Sequence, residues 1–313
     1  MIAAIQELME HDTAGDPMTG LLWTRKTTRK IADELRGAGI PVSRGTVARL
    51  LKELGYSLRV NRKAIARTSH PDRNRQFEQI HKTKSRFRRR GLPIVSVDTK
   101  KRELVGKFKN PGVTWERTPT LVNDHDFRSQ ASGVAIPYGV YDIRANRGSV
   151  FVGTSYDTPA FAVDALVRWW KGVGRRRYPN ADHLLVLADS GGSNGARNRA
   201  WKHQLQTQLC DPLDLAVTVC HFPSGASKWN PTDHRLFSEI SKNWSGRPLD
   251  SYETVLKYLR TTTTTTGLVV RAALVTRAFP KGQKPTPQEM DSVNLHQHRI
   301  LPTWNYTIRP TKG

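Results

Sequence analysis

Apolar residues recur along this chain with two spacings, and the change from one to the other divides it. Over the first 60 or so residues the spacing is helical. Ile31, Ala32 and Leu35 fall on one face of a segment opening at Thr27, and Val47, Leu50, Leu51 and Leu54 on one face of a second. Between them Gly37-Ala38-Gly39-Ile40-Pro41-Val42 opposes helix continuation, Ser43 offers a cap to the second helix, and Gly55 ends it. Two short helices about a glycine-containing turn make a helix-turn-helix. Arg44, Thr46 and Arg49 then lie opposite the apolar stripe, near the helix start that enters a DNA major groove. The bland alternative is a helical hairpin with a solvated basic face. Tyr56-Ser57-Leu58-Arg59-Val60-Asn61-Arg62-Lys63 alternates and predicts a wing strand. Pro71 at one end and Arg86-Phe87-Arg88-Arg89-Arg90 at the other predict a basic connecting helix, which Gly91-Leu92-Pro93 closes.

From residue 93 the pattern mixes short apolar runs with helical stretches. It predicts a strand over 93–98, a hairpin around 103–107, an extended segment 136–143 and a strand 149–154. A helix over 158–171, a strand 183–188, a helix 197–209, a strand 215–220 and a helix from Asn230 follow. This order predicts an α/β fold, a ribonuclease-H-like mixed sheet with flanking helices, preceded by a small all-α, winged-helix-like helix-turn-helix domain. The expected boundaries are 1–68 for the helix-turn-helix domain, 69–92 for the connecting helix, 93–260 for the α/β domain and 261–313 for a strand and loop extension. In that extension a six-threonine run and a strand over 267–275 precede a tail with five prolines, read as mostly loop.

Charge sharpens the picture. Fifty Lys and Arg against 27 Asp and Glu leave a formal charge of +23. Such an excess costs self-repulsion, and basic residues spread along the whole chain suit a long polyanion better than a small acidic substrate. Nucleic acid is therefore the expected partner. No run of about 18 apolar residues is present, which argues against a membrane span, and Met1-Ile2-Ala3-Ala4-Ile5-Gln6-Glu7 lacks the marks of a secretory signal. Cys210 and Cys220, without CxxC spacing, are expected to be buried thiols in a reducing cytoplasm.

The candidate chemistry is acidic. Asp98 ends the run Pro93-Ile94-Val95-Ser96-Val97-Asp98, Asp189 ends His183-Leu184-Leu185-Val186-Leu187-Ala188-Asp189, and Asp233 stands in the first turn of a helix. Carboxylates at two strand ends, joined by a third from a helix, can hold two Mg²⁺ or Mn²⁺ ions for phosphodiester chemistry. Each acid taken alone has a structural reading, as a turn residue or as one favoured by a helix dipole. Lys100, Lys101, Lys107 and Lys109 follow the first acid and are placed to meet phosphates, or else are ordinary solvated charges. Gly191-Gly192-Ser193-Asn194-Gly195 matches a hydrolase nucleophile elbow in form only, and no Gly-Lys-Ser/Thr follows to make a P-loop. His296 and His298 read as surface histidines, and Trp169, Trp170 and Trp229 as core.

Longer motifs carry a resemblance. Val97-Asp98-Thr99-Lys100-Lys101, Glu103-Leu104-Val105-Gly106, Lys107-Phe108-Lys109-Asn110 and Ala135-Ile136-Pro137-Tyr138-Gly139-Val140-Tyr141-Asp142 resemble the Rhodopirellula-type DDE transposases of bacterial insertion sequences. So do His125-Asp126-Phe127, Ala188-Asp189-Ser190-Gly191-Gly192-Ser193-Asn194-Gly195, His221-Phe222-Pro223, Ser227-Lys228-Trp229-Asn230, His234-Arg235-Leu236-Phe237-Ser238, Asn243-Trp244 and Trp304-Asn305-Tyr306. The likeness runs from about residue 12 to the end.

It implies a metal-dependent transposase that binds double-stranded DNA, both the terminal repeats of its element and target DNA, in a bacterial cytoplasm at the nucleoid. It also allows a homo-oligomer acting on paired ends. The family's first two catalytic aspartates fall on Asp98 and Asp189. Its third acid, normally glutamate, falls on Asp233, one methylene shorter, with Glu239 as the fallback six residues on. The family also carries a further amino-terminal helical segment, so this chain is expected to begin inside it. Those two departures motivate an alternative, a catalytically inactive DNA-binding derivative that represses transposition. A cellular nuclease of the same fold is a third reading.

Overall fold

The computed structural model describes residues 2–12, 14–15, 22–23, 26–56, 70–226 and 229–311, side chains of 8–25 apart. The chain divides into two units, Met1–Ile65 and Ala66–Gly313.

The first unit contains helices α1 (Ile2–Asp12), α2 (Thr28–Gly37) and α3 (Arg44–Glu53), with a short strand pair between the first two. The Ser43 side chain accepts from the backbone N–H of Thr46, as its spacing predicts, and Thr27 caps α2 in the same way. Each such cap contributes about 1 kcal/mol. Gly39 turns the chain at φ +80°, a left-handed conformation that glycine adopts without a Cβ penalty. Ile5, Ile31, Ala32, Leu35, Val42, Val47 and Leu50 bury together as the core. Nearly all of the expected wing strand lies outside the described residues.

The second unit is built on one mixed sheet. Its strands are β1 (Ile94–Thr99), β2 (Glu103–Val105), β3 (Gly133–Asp142), β4 (Arg147–Gly153), β5 (His183–Asp189), β6 (Ala216–Phe222), β7 (Val269–Val275), β8 (Leu295–Gln297) and β9 (Asn305–Ile308). They lie in the order β8-β9-β6-β5-β1-β3-β4-β7, with β2 paired to β3. At the centre β1, β5 and β6 are parallel, and β3 is antiparallel to both β1 and β4. That central arrangement is ribonuclease-H-like, as the element order predicts.

The parallel strands are buried on both faces, which is why they read as continuous apolar runs. Leu184, Val186 and Ala188 of β5 pack in the cluster that holds Phe161, Leu166 and Trp169 of helix Pro159–Trp169. Leu185 and Leu187, on the opposite face by strand alternation, pack with Ile80 and Phe87 of helix Arg73–Arg89. The basic helix expected as a connector is therefore a flanking layer of this unit. It buries Gln76, Ile80, Thr83 and Phe87, one face at helical spacing.

The tail differs from its reading as mostly loop. β9 pairs antiparallel with β6 and β8 with β9, extending the sheet past its parallel strands. Tyr306 and Ile308 are fully buried. Four residues flanked by prolines are too short for periodicity to reveal. Among the described residues no helix is long and apolar enough to cross a membrane.

Candidate active site

Strand register brings the first two acids together. In the parallel pair β1–β5, Val97 partners Ala188, so the next residues, Asp98 and Asp189, lie side by side at the carboxyl ends. Asn230 ties them. Its Nδ2 donates to Asp98 Oδ2 at 3.3 Å and to Asp189 Oδ1 at 3.0 Å, so the two oxygens are separated by no more than those distances combined. Its Oδ1 accepts from Ser96 Oγ at 2.7 Å and from the Thr232 N–H at 3.0 Å. Every polar valence of this fully buried amide is used.

The helix carrying Asp233 follows at once, with a widened stretch Asp233–Phe237 leading into Ser238–Asn243. A notch seats it. Gly139 of β3 is the partner of Asp98, and a Cβ there would meet Phe237 at 2.8 Å and Thr232 at 3.0 Å. Leu236 sits in the same way where Gly148 lacks a side chain. Asp233 itself is exposed.

Electrostatics records the crowding. Burial first, then the charges of Asp189, Asp233 and Asp157, push the Asp98 carboxyl up to about 7, against the opposing hydrogen bond from the Thr99 N–H. Asp189 is also raised, by burial and by Asp233, while the Asn230 hydrogen bond opposes the shift. Among the described residues none of the ion pairs involves Asp98, Asp157, Asp189 or Asp233. On a chain with 50 basic residues, that leaves a pocket of negative charge without a side-chain counterion among the described residues.

The acids open onto a cleft of about 400 Å³ lined by Asp98, Thr99, Asp157 and Asp189, by the Ser190–Asn194 loop and by 223–226. Hard oxygen donors that are desolvated and mutually repelling suit a divalent cation, and Mg²⁺ needs only one or two carboxylates besides waters and substrate phosphates. Asp98 and Asp189 fit that description. Asp233 does not line the cleft, and among the described residues no three His, Cys, Asp or Glu side chains close into a metal-holding group.

Three contributors escape a reading of the sequence. Asn230 carries a visible signal, Asn-Pro ahead of a helix, but of a cap and not of a bridge. His221 lies on β6, where its Nδ1–H donates to the Asp189 carbonyl at 2.9 Å and its Nε2 accepts from Tyr306 Oη at 3.0 Å. Trp201 Nε1–H donates to the same hydroxyl at 2.9 Å. Burial holds His221 down at about 4, so it is neutral and fixes the Asp189 backbone. Asp157 is the third, in the loop after β4, accepting from Thr99 Oγ1 at 3.2 Å.

The remaining candidates sort plainly. Arg44 and Arg49 are exposed on α3, with Arg49 paired to Glu53, and the Thr46 hydroxyl is joined to Ser43 in the cap. Lys101, Lys107 and Lys109 are exposed. Lys100 is not: it bonds Glu103 at 2.8 Å and stands 4.7 Å from the Trp244 ring centroid. Glu239 pairs with Lys242 and lines a different cavity, as its angular position predicts. Ser193 is buried with no hydrogen-bond partner, hence no base to activate it. Cys210 and Cys220 are free and buried, and Trp169 and Trp170 are core. Trp229, expected in the core, is instead 42% exposed, with the Arg73 guanidinium 4.5 Å from its ring centroid.

Among solved structures the chain is similar to a Mos1 transposase paired-end complex with left transposon end, at 20% identity and a TM-score of 0.42 over 83% of this chain and 69% of that one. It is similar to the Mos1 mariner paired-end complex with Mn at 20% identity and 0.43, over 83% and 70%. Likeness at this level transfers neither residues nor chemistry. No curated protein sequence matches the chain. A family model does: that of the Rhodopirellula transposase DDE domain, over residues 4–310. The chain belongs to that family of transposases.

Proposed function

We propose that this transposase serves a bacterial insertion sequence, binding double-stranded DNA at the element's ends, cutting it and joining the freed ends to target DNA. The observation that supports the reading is the pair of desolvated carboxylates, Asp98 and Asp189, bridged by one buried amide at the open ends of parallel strands. Asp98, Asp189 and Asp233 would hold two Mg²⁺ or Mn²⁺ ions. When bound, such ions activate the attacking oxygen, first water and then a DNA 3′-OH, and stabilise the leaving one. Asn230 orients both carboxylates, and neutral His221 fixes the backbone beneath Asp189. Burial and the neighbouring carboxylates raise the Asp98 carboxyl to about 7, so a bound cation would compete with its proton near neutrality. Arg44, Thr46 and Arg49 of the helix-turn-helix read the terminal repeats, and Lys101, Lys107 and Lys109 meet phosphates. A homo-oligomer of this chain on paired ends is the working assembly.

The test is Mg²⁺-dependent cleavage of DNA carrying the sequences that flank the coding region, with Asp98→Ala as comparison. Cutting by the parent chain and none by the variant is expected, and equal cutting by both overturns the assignment. The exposed position of Asp233 outside the cleft favours one second reading, a DNA-binding repressor of transposition. Binding of the repeats with no cutting at any metal concentration would select it.

A further inference from the structure

We propose that Asp157 is a fourth carboxylate of the reaction site, holding a divalent cation together with Asp98. The inference rests on the metal-dependent reading above and adds a ligand to it.

Position comes first. The loop after β4 returns to the end of β1, where the Thr99 hydroxyl orients Asp157 at 3.2 Å. Asp157 lines the same cleft as Asp98 and Asp189, which Asp233 does not. A helix-capping role does not account for it, because the cap of the next helix is the Thr158 side chain, which accepts from the Phe161 N–H. Nor does charge pairing, since no ion pair among the described residues includes Asp157. Its negative charge instead acts on Asp98 and on the hydroxyl of Tyr138.

A second observation points to a ligand. The Tyr138 Oη is fully buried without a hydrogen-bond partner, although it lies within electrostatic reach of both Asp98 and Asp157. Of the residues that line the cleft itself, Ser193 Oγ and Asn194 Nδ2 are buried without a hydrogen-bond partner among the described residues, at 6% and 3% residue exposure. Buried polar groups left this way cost about 1–3 kcal/mol each, so two in the wall of one cleft mark a place built for polar occupants. A hydrated cation and its waters supply both the charge the carboxylates lack and the partners these atoms lack. The acids approach as pairs, which is enough for an ion that keeps several waters.

The experiment titrates the full chain with Mn²⁺ in the absence of DNA, at a pH above 7, reading free Mn²⁺ by electron paramagnetic resonance. Asp157→Asn keeps the shape and can still accept from Thr99, so only charge is lost. It should bind Mn²⁺ about tenfold more weakly than the parent chain, with unchanged melting in chelator. If the Asn variant melts early, Asp157→Glu replaces it. The Glu variant should hold Mn²⁺ within about threefold of the parent, and tenfold weaker binding by it would count against the assignment. Parental affinity in Asp157→Asn, alongside weakened binding in Asp98→Asn, overturns the role of Asp157 and leaves the transposase chemistry standing. Parental affinity in Asp98→Asn overturns the metal reading itself.

Discussion

Replacing Asp98 by asparagine should remove activity and yet make the metal-free protein more stable, by a margin that grows as pH rises above about 4 and is complete above about 7. The folded environment raises this carboxyl from 3.8 to about 7. Below the lower value it is protonated in both folded and unfolded chains and contributes nothing. Between the two, the unfolded chain has released its proton while the folded chain keeps it, so stability falls as pH rises. Above the upper value the whole penalty applies, roughly 4 kcal/mol. Asparagine avoids it. The substitution also turns a donor toward the Asn230 amide, or sacrifices the acceptor of the Thr99 N–H at 2.8 Å, at a cost of about 1 kcal/mol. The net gain is about 2–3 kcal/mol, or a rise of roughly 5–10 °C in Tm for a unit of this size. Thermal melts in chelator, above pH 7 and below pH 4, read the difference. A variant that is no more stable than the parent above pH 7, or one that gains equally at both pH values, refutes the claim that crowded ionised carboxylates strain this site.

The other perturbations act on the scaffold of the site and on its third acid. Asn230→Ala leaves Ser96 Oγ without its acceptor and takes one hydrogen bond from each of the two carboxylates, so a loss of about 2–4 kcal/mol in denaturant unfolding should accompany loss of cleavage. Gly139→Ala places a methyl against Phe237 and Thr232, and should cost about 1–3 kcal/mol while lowering cleavage more than DNA binding. Asp233→Glu should preserve or raise Mg²⁺-dependent cleavage, whereas Glu239→Gln should leave it unchanged. The opposite ranking would move the third acid to Glu239.

Much of this fold was legible because burial leaves periodic traces. β1 and β5 are buried on both faces and read as unbroken apolar runs, and Val47 and Leu50 recur at helical spacing behind a Ser43 cap. The two strand-end aspartates were legible for the same reason, since each ends such a run. What the pattern could not carry was side-chain contact across the sheet. Asn230 is separated by more than 130 residues from Asp98, and its role depends on a register that only pairing defines. Asp157 follows a strand as any loop acid does, and only the hydroxyl of Thr99 shows where it turns. Lys100 read as a phosphate ligand because sequence shows its charge and not its neighbours, Glu103 and Trp244. β9 was missed because four residues hold too few alternations to count.

The glycine notches explain why the third acid matters as a question of reach. Phe237 and Leu236 fill the spaces at Gly139 and Gly148, so the helix bearing Asp233 is held against β3 and β4 by tight contacts. Moving that helix would disturb these contacts, and interiors this closely packed do not deform continuously. The carboxylate of exposed Asp233 must therefore approach by its own side chain. Aspartate has one fewer rotatable bond than glutamate with which to do so. Asn230, three residues earlier, already meets Asp98 and Asp189 at hydrogen-bond distance, so the start of this helix is aimed at the pair. From where the helix stands, the charge of Asp233 already raises both Asp98 and Asp189, so the third acid acts on the site electrostatically without any movement of the helix.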